Sequence, residues 1–229
     1  MPVQQIGELM SSPRKLRNHI LKVLGASIIL AALAAVTLDQ RLSVYFSHAD
    51  QQVLRGYFRE ITDLGLSEYY FIVAILAWIL AKWIAPYLHI MKNYHKERDF
   101  TRRWGLNFLS ALIVCGIFIH LTKFFVGRQR PHKSEILDPF VFDPITTHWH
   151  WHSFASGHSQ VMFTAATMFS VAFPKARWFF FAFAALICFS RIAVLDHFLS
   201  DTIMGASIGY CGSLFAMYLM KTKTKNGLF

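Results

Sequence analysis

Residues 106–125 read LNFLSALIVCGIFIHLTKFF, twenty positions with a single permanent charge, Lys123. As a helix such a run is about 30 Å long, the thickness of a bilayer's hydrocarbon core, and a helix satisfies its own backbone polar groups in lipid. Comparable apolar runs lie on either side, at 20–38, 69–90, 160–173, 178–189 and 202–220. The two at 160–173 and 178–189 are short for spans and are joined by the tight turn Pro174-Lys175-Ala176-Arg177. Over all 229 residues, 55% are hydrophobic and only 16% charged. A soluble domain carries about a quarter charged residues, so six such helices could not be covered in water. The 22 Phe and 6 Trp exclude a disordered or fibrous chain. The expectation is an all-α polytopic integral membrane protein, one domain over 1–229 with six transmembrane helices.

The formal net charge of +10 suggests nucleic acid until its distribution is read. Taking alternate loops on alternate sides, one side holds 15 basic and three acidic residues, a net of +12. These include Arg14, Lys15, Arg17 and Lys22, Lys82 with the loop Lys92 to Arg103, the Lys175/Arg177 turn, and the tail from Lys221. The other side holds 8 basic and 10 acidic residues, a net of −2. Basic residues mark the cytoplasmic side, so the excess is a topology signal, and no nucleic-acid partner is expected. Residues 1–19 then read as a cytoplasmic N-terminus and 221–229 as a cytoplasmic tail. Residues 39–68 read as an outer interfacial helix and loop, with apolar positions Val53, Leu54, Tyr57, Phe58, Ile61 and Leu64 at helical spacing. Residues 126–159 form a second outer loop. The run from Ile20 is long for a signal peptide and is expected to remain as an anchor. Cys115, Cys188 and Cys211 sit inside apolar runs without ligand spacing, so packing is their expected role.

Three polar clusters fall on the outer side, near the ends of the third to sixth spans. The first runs from Lys123 through Gly127-Arg128-Gln129 to Arg130-Pro131; the second is Ser156-Gly157-His158, after Ser153-Phe154-Ala155; the third is Ser190-Arg191, then His197, then Asp201. Singly, each reads as snorkelling cations, a common loop tripeptide or a self-paired turn. Together they make a chemical set. Lys123, Arg130 and Arg191 supply three cations, and guanidinium forks match phosphate oxygens two at a time. Ser156 and Gly157 open the fourth helix, whose free amides and dipole favour an anion, with His158 beside it. His197 and Asp201 stand four apart, on one face of a helix leading into the sixth span. That spacing lets the carboxylate hold one imidazole nitrogen and leave the other free as a nucleophile.

Lys-x6-Arg-Pro, then Ser-Gly-His, then Ser-Arg-x5-His-x3-Asp resembles the three-part signature of the type 2 phosphatidic acid phosphatase superfamily. The order and gaps match, with 24 residues between Pro131 and Ser156 and 31 between His158 and Ser190. One position departs: Ala155 stands where Pro usually precedes Ser-Gly-His, which loosens the loop without removing a reacting group. The resemblance covers all six spans and implies an active site at the outer ends of helices 3 to 6. It implies that His197 attacks phosphorus and forms a phosphohistidine, that Asp201 orients it, and that His158 protonates the leaving oxygen and later activates water. Lys123, Arg130, Ser156, Gly157 and Arg191 are implied to hold the non-bridging oxygens. The family's chemistry uses no metal or other cofactor, which three fixed cations make intelligible.

The implied partner is a lipid phosphate in a bacterial inner (plasma) membrane, with the site facing the periplasm or exterior. Candidate substrates are phosphatidylglycerol phosphate, undecaprenyl pyrophosphate, phosphatidic acid and lipid A phosphate. A vanadate-dependent haloperoxidase would share the residues but is soluble. A lipid or ion transporter would spread its charges through the midplane, whereas here they lie at one level. His148, His150 and His152 would face one way in an extended strand, a zinc-like arrangement without a fourth ligand nearby; an interfacial segment is the expected role.

Overall fold

The computed structural model describes residues 3–85, 87 and 94–223. Nine helices carry the described chain: α1 (Val3–Met10), α2 (Pro13–Thr37), α3 (Asp39–Ser47), α4 (Gln52–Thr62), α5 (Ser67–Ile79), α6 (His95–Val126), α7 (Gly157–Ala172), α8 (Arg177–Ala193) and α9 (Leu199–Lys223). Helix α5 runs on through a π-helical turn, Leu80–Ile84. Among the described residues there is no strand, only an isolated bridge between Arg128 and Phe142.

Five segments are long and apolar enough to cross a membrane: Pro13–Thr37, Ala49–Ile84, His95–Val126, Pro174–Ala193 and Leu199–Lys221. Apolar side chains crowd their outer faces, with Ile28, Ile29, Leu33 and Val36 of α2 and Ile113, Ile117 and Phe118 of α6 all exposed. A soluble monomer does not present such bands, and the chain is a multi-pass membrane protein. Where six spans are expected from the sequence, α7 is too short for this group. It has 16 residues, and most of them are buried, including Ser159, Gln160, Thr164, Thr167 and Ser170. It packs against α6, α8 and α9 as the polar centre of the bundle.

Three boundaries differ from the sequence reading. Residues 1–19 contain α1 and the first turns of α2, and Ile6, Met10 and Leu16 are buried in the cluster holding Trp104 and Phe108. Pro13 at the first turn of α2 explains why that helix starts where it does. The basic loop before the third span is partly helix, since α6 begins at His95 and carries Lys96 through Arg103 as polar opening turns. Lys92 and the tail beyond residue 223 lie outside the described residues. Finally, 39–68 forms two helices, α3 and α4. One flank of α4 packs inward, with Phe58 against Phe189 and Ile61 against the cluster of Met162, Ala166, Ala184 and Ile187, while Val53 and Tyr57 stay exposed.

Two features bring distant motifs to one level. Helix α6 ends on Gly127 at φ 56°, whose amide donates to the Lys123 carbonyl at 3.0 Å. A side chain there would also collide with the Asp143 carbonyl. On α9, Gly205 and Gly209 lie one turn apart. A Cβ on either would stand 2.3 Å from a carbonyl of α7, that of Ser156 or Gln160. The two backbones therefore touch, and the start of α7 lies against the start of α9.

Candidate active site

Lys123, in the last turn of α6, is buried, and its Nζ donates to the His152 carbonyl at 2.6 Å. The loop arginine Arg130 reaches the same carbonyl through Nη2 at 3.5 Å and donates from Nε to the Trp149 carbonyl at 3.2 Å. Its guanidinium also stands 5.3 Å from the Trp149 ring centroid. The carbonyl of His152 thus gathers two of the three expected cations. The third, Arg191, ends α8 and is buried; it donates to Thr62 Oγ1 at 2.9 Å and to Asp196 Oδ2 at 2.5 Å. Its Nε has no acceptor among the described residues.

Ser156 caps α7, which opens at Gly157 as expected. Its hydroxyl accepts from the Ser159 amide at 3.4 Å and from Ser159 Oγ at 3.0 Å, so the side chain serves its own helix. The Ser156 amide donates to the Asp201 carbonyl at 3.0 Å. The His158 ring rests on Gly65: a Cβ there would stand 2.8 Å from His158 Cδ2. Only a glycine leaves that ring its place.

His197 is 2% exposed, and its Nδ1 lies 3.6 Å from Asp201 Oδ2. The two do not share a helical face as expected, since α9 begins at Leu199, after His197. The reason is local. Asp201 Oδ2 turns back to accept the Phe198 amide at 2.9 Å and Ser153 Oγ at 2.6 Å, tying off the helix start. Ser153 Oγ is also 3.5 Å from His197 Nδ1. Burial holds the His197 imidazole well below the usual histidine range; Asp201 pulls the other way, while Arg130, Lys123 and Arg191 depress it further. Burial thus favours the uncharged ring, the form in which an imidazole carries a free lone pair.

Several residues of the site were not singled out from the sequence. Asp196 sits between Arg191 and His132, whose Nδ1 is 3.1 Å from Asp196 Oδ1. Burial would raise its carboxyl, but the His132 hydrogen bond and Arg191 hold it well below the ordinary carboxylate range. Arg128 is buried and donates from Nη1 to Asp201 Oδ1 at 2.5 Å and from Nη2 to Asp39 Oδ2 at 2.9 Å. Arg128 stands inside the first motif cluster, but nothing in its spacing marks it apart from the residues around it. Asp39 offered one signal, an acid directly after an apolar run. The tract at 148–152 is not a strand: Trp149–Trp151 is a 3₁₀ turn, which removes the common direction of the three imidazoles. His152 Nε2 instead lies 3.0 Å from the Thr146 carbonyl.

A cavity of about 730 Å³ runs between α5, α6 and the start of α7. Lys123, Gly157 and His158 line its polar end, and Phe71, Leu112 and Ile117 its apolar length. His197, Arg130 and Arg191 are not among the residues that line it.

An all-α membrane bundle with a buried imidazole–carboxylate pair ringed by cations defines the class. Residues 104–225, more than half of the chain, match the PAP2 superfamily, and the chain belongs to that family. Among curated relatives it is similar to a lipid A 1-phosphatase of Rhizobium etli, at 29% identity over 65% of this chain and 64% of that one. It is also similar to an undecaprenyl-diphosphatase of Sulfolobus acidocaldarius, at 24% identity over 53% of this chain and 58% of the relative. The matches thus span less than two thirds of those relatives' length. The fold is that of a Bacillus subtilis transmembrane PAP2 type phosphatidylglycerolphosphate phosphatase, with a TM-score of 0.62 at 20% identity, covering 90% of this chain and 98% of that one.

Proposed function

We propose that the protein is a membrane lipid phosphatase that hydrolyses a phosphate monoester or diphosphate of a lipid through a phosphohistidine. The observation that carries this is the buried His197–Asp201 pair, with Lys123, Arg130 and Arg191 close enough to act on the ring, next to a cavity that Lys123, Gly157 and His158 line. A phosphate would sit among the cations, with the Arg191 Nε free to donate, and the lipid chain would lie along α5 and α6. His197 Nε2 attacks phosphorus, the bond to the lipid oxygen breaks, and His158 gives that oxygen a proton. Water then attacks phosphorus and gives His158 its proton; the P–N bond breaks and phosphate leaves. The cations stabilise the charge that builds on the three non-bridging oxygens, so turnover is expected to survive chelation of divalent metals.

In this reading α7 is a sixth, shortened span, shielded from lipid by its neighbours, and the site faces the outer side by the charge rule. The substrate class includes lipid A phosphate, undecaprenyl pyrophosphate, phosphatidylglycerol phosphate and phosphatidic acid. The test is phosphate release from a panel of these lipids by purified protein in detergent, with His197→Ala as control. Release by the native protein and none by the variant is expected. Equal release by both would move the nucleophile elsewhere, and no release from any lipid would sink the proposal.

A further inference from the structure

The catalytic pair is attached to a part of the molecule that no motif covers. Arg128 lies buried between two buried carboxylates, Asp201 of α9 and Asp39 at the start of α3. Each of its nitrogens is engaged. Nη1 also donates to Ser200 Oγ at 2.6 Å, Nε donates to the Pro139 carbonyl at 2.8 Å, and the guanidinium packs 4.2 Å from the Phe198 ring centroid. Asp39 in turn accepts the Ser200 amide on Oδ1 at 3.0 Å and Ser200 Oγ on Oδ2 at 2.5 Å. The first turn of α9, the segment that aims Asp201 at His197, is therefore pinned from outside by a carboxylate 161 positions away in sequence. Removing such charges from water is costly, and a pair of this kind is a poor device for stability alone. Its geometry does something else: it leaves Asp201 one fixed orientation, with Oδ1 taken by Arg128 and Oδ2 turned to Ser153, Phe198 and His197.

We propose that Arg128, held by Asp39, is a positioning residue for the nucleophile, setting the angle of Asp201 and through it the direction in which His197 presents Nε2. The proposal rests on the reading of His197 as nucleophile. It assigns helix α3 a part in catalysis although none of its residues reaches the phosphate site.

The main test uses Asp39→Asn, which keeps shape and leaves the Arg128–Asp201 pair in place but removes the negative charge and sets an amide donor against either the guanidinium or the Ser200 amide. Arg128→Lys is the companion, since a single ammonium nitrogen lacks the planar fork whose separate nitrogens meet the two carboxylates. Two ligands are compared in calorimetry. Vanadate adopts the five-coordinate geometry of the transferring group and bonds to the nucleophile, whereas inorganic phosphate meets only the cations. Asp39→Asn is expected to weaken vanadate about tenfold, the usual scale for an outer partner of a bound ligand, and phosphate by less than about twofold. On a lipid phosphate, kcat should fall by a similar factor with KM nearly unchanged. In an Asp201→Asn background the same change should cost less than about twofold, because the path through Asp201 is already cut. Equal weakening of vanadate and phosphate, or a full tenfold loss persisting without Asp201, would overturn the proposal. The ligand comparison needs no lipid. If no lipid were hydrolysed yet vanadate binding still depended on Asp39, the lipid phosphatase reading would fail and the positioning role would stand.

Discussion

Helices α2 and α7 are inverted images of one another. The first is 25 residues long and strongly apolar, yet only Leu16, Ala31 and Ala34 of it are buried. The second is short and carries serines, threonines and a glutamine, and nearly all of it is inside. In water that arrangement would be upside down. In lipid it follows directly: apolar side chains lose nothing at the periphery, while polar ones must find partners in the interior. Chemistry that needs buried charge therefore collects where α7 and α9 meet, and the outer helices serve as solvent-facing surface does in a soluble enzyme.

If that contrast holds, changes at the α7–α9 junction cost orders of magnitude and changes on the face of α2 cost almost nothing. The largest effect here is expected from Asp201→Asn, which keeps shape but offers a donor where His197 needs an acceptor. The equivalent change in the serine protease triad costs on the order of 10⁴ in turnover, and roughly 10² to 10⁴ is expected here. KM should barely move, and steady-state kinetics on a lipid phosphate will tell; a raised KM with intact kcat would place Asp201 among the binding groups. Next comes Arg191→Ala, which in the proposed mechanism removes a cation that would meet phosphate before and during transfer. A loss of about 10² to 10³ in kcat/KM, shared between both constants, is expected from deleting one such donor.

A smaller effect separates holding from reacting. Asp196 has its carboxyl lowered in the folded protein, so the stability it contributes is present above the ordinary carboxylate range and is lost only as pH falls through its folded value. Native protein should accordingly melt a few degrees above Asp196→Asn at pH 7, roughly 1 kcal/mol at about 2–4 °C per kcal/mol. The gap should persist through pH 5 and close only in strong acid. A gap that widened as pH fell from 7 to 6 would instead assign the effect to a histidine gaining its proton. Last, Leu33→Ala on α2, 57% exposed, should leave turnover within about twofold and stability within about 0.5 kcal/mol. A large loss there would mean that α2 is covered by protein in the working enzyme, and the contrast with α7 would break.

The motif residues were legible because each needs a particular chemistry at a particular chain distance. Lys123 and Arg130, Ser156 through His158, and Arg191 through Asp201 all lie in short segments, and spacing within a segment survives translation into structure. Thr62, Asp39 and Gly65 were not legible, because each meets its partner across a large sequence gap: Thr62 with Arg191, Asp39 with Arg128, Gly65 with His158. The boundary of α9 was misjudged for a related reason. An i, i+4 pair suggests a shared helical face, but Asp201 uses its second oxygen to cap the Phe198 amide and leaves His197 outside the helix.

What the sequence alone determined is the medium and the residue types that a site of the proposed kind would use. Hydropathy is summed over twenty residues and is insensitive to packing, and a reacting group is a matter of residue type. What tertiary structure alone decided is which polar groups lie inside and what holds them still. Serines and threonines of α7 look no different from those of a loop until Gly205 and Gly209 let α9 close on them. Arg128 looks like its neighbour Gln129 until Asp39 and Asp201 are on either side of it. Those are properties of pairs brought together by folding, and a charge in low dielectric takes its meaning from its partner rather than from its place in the chain.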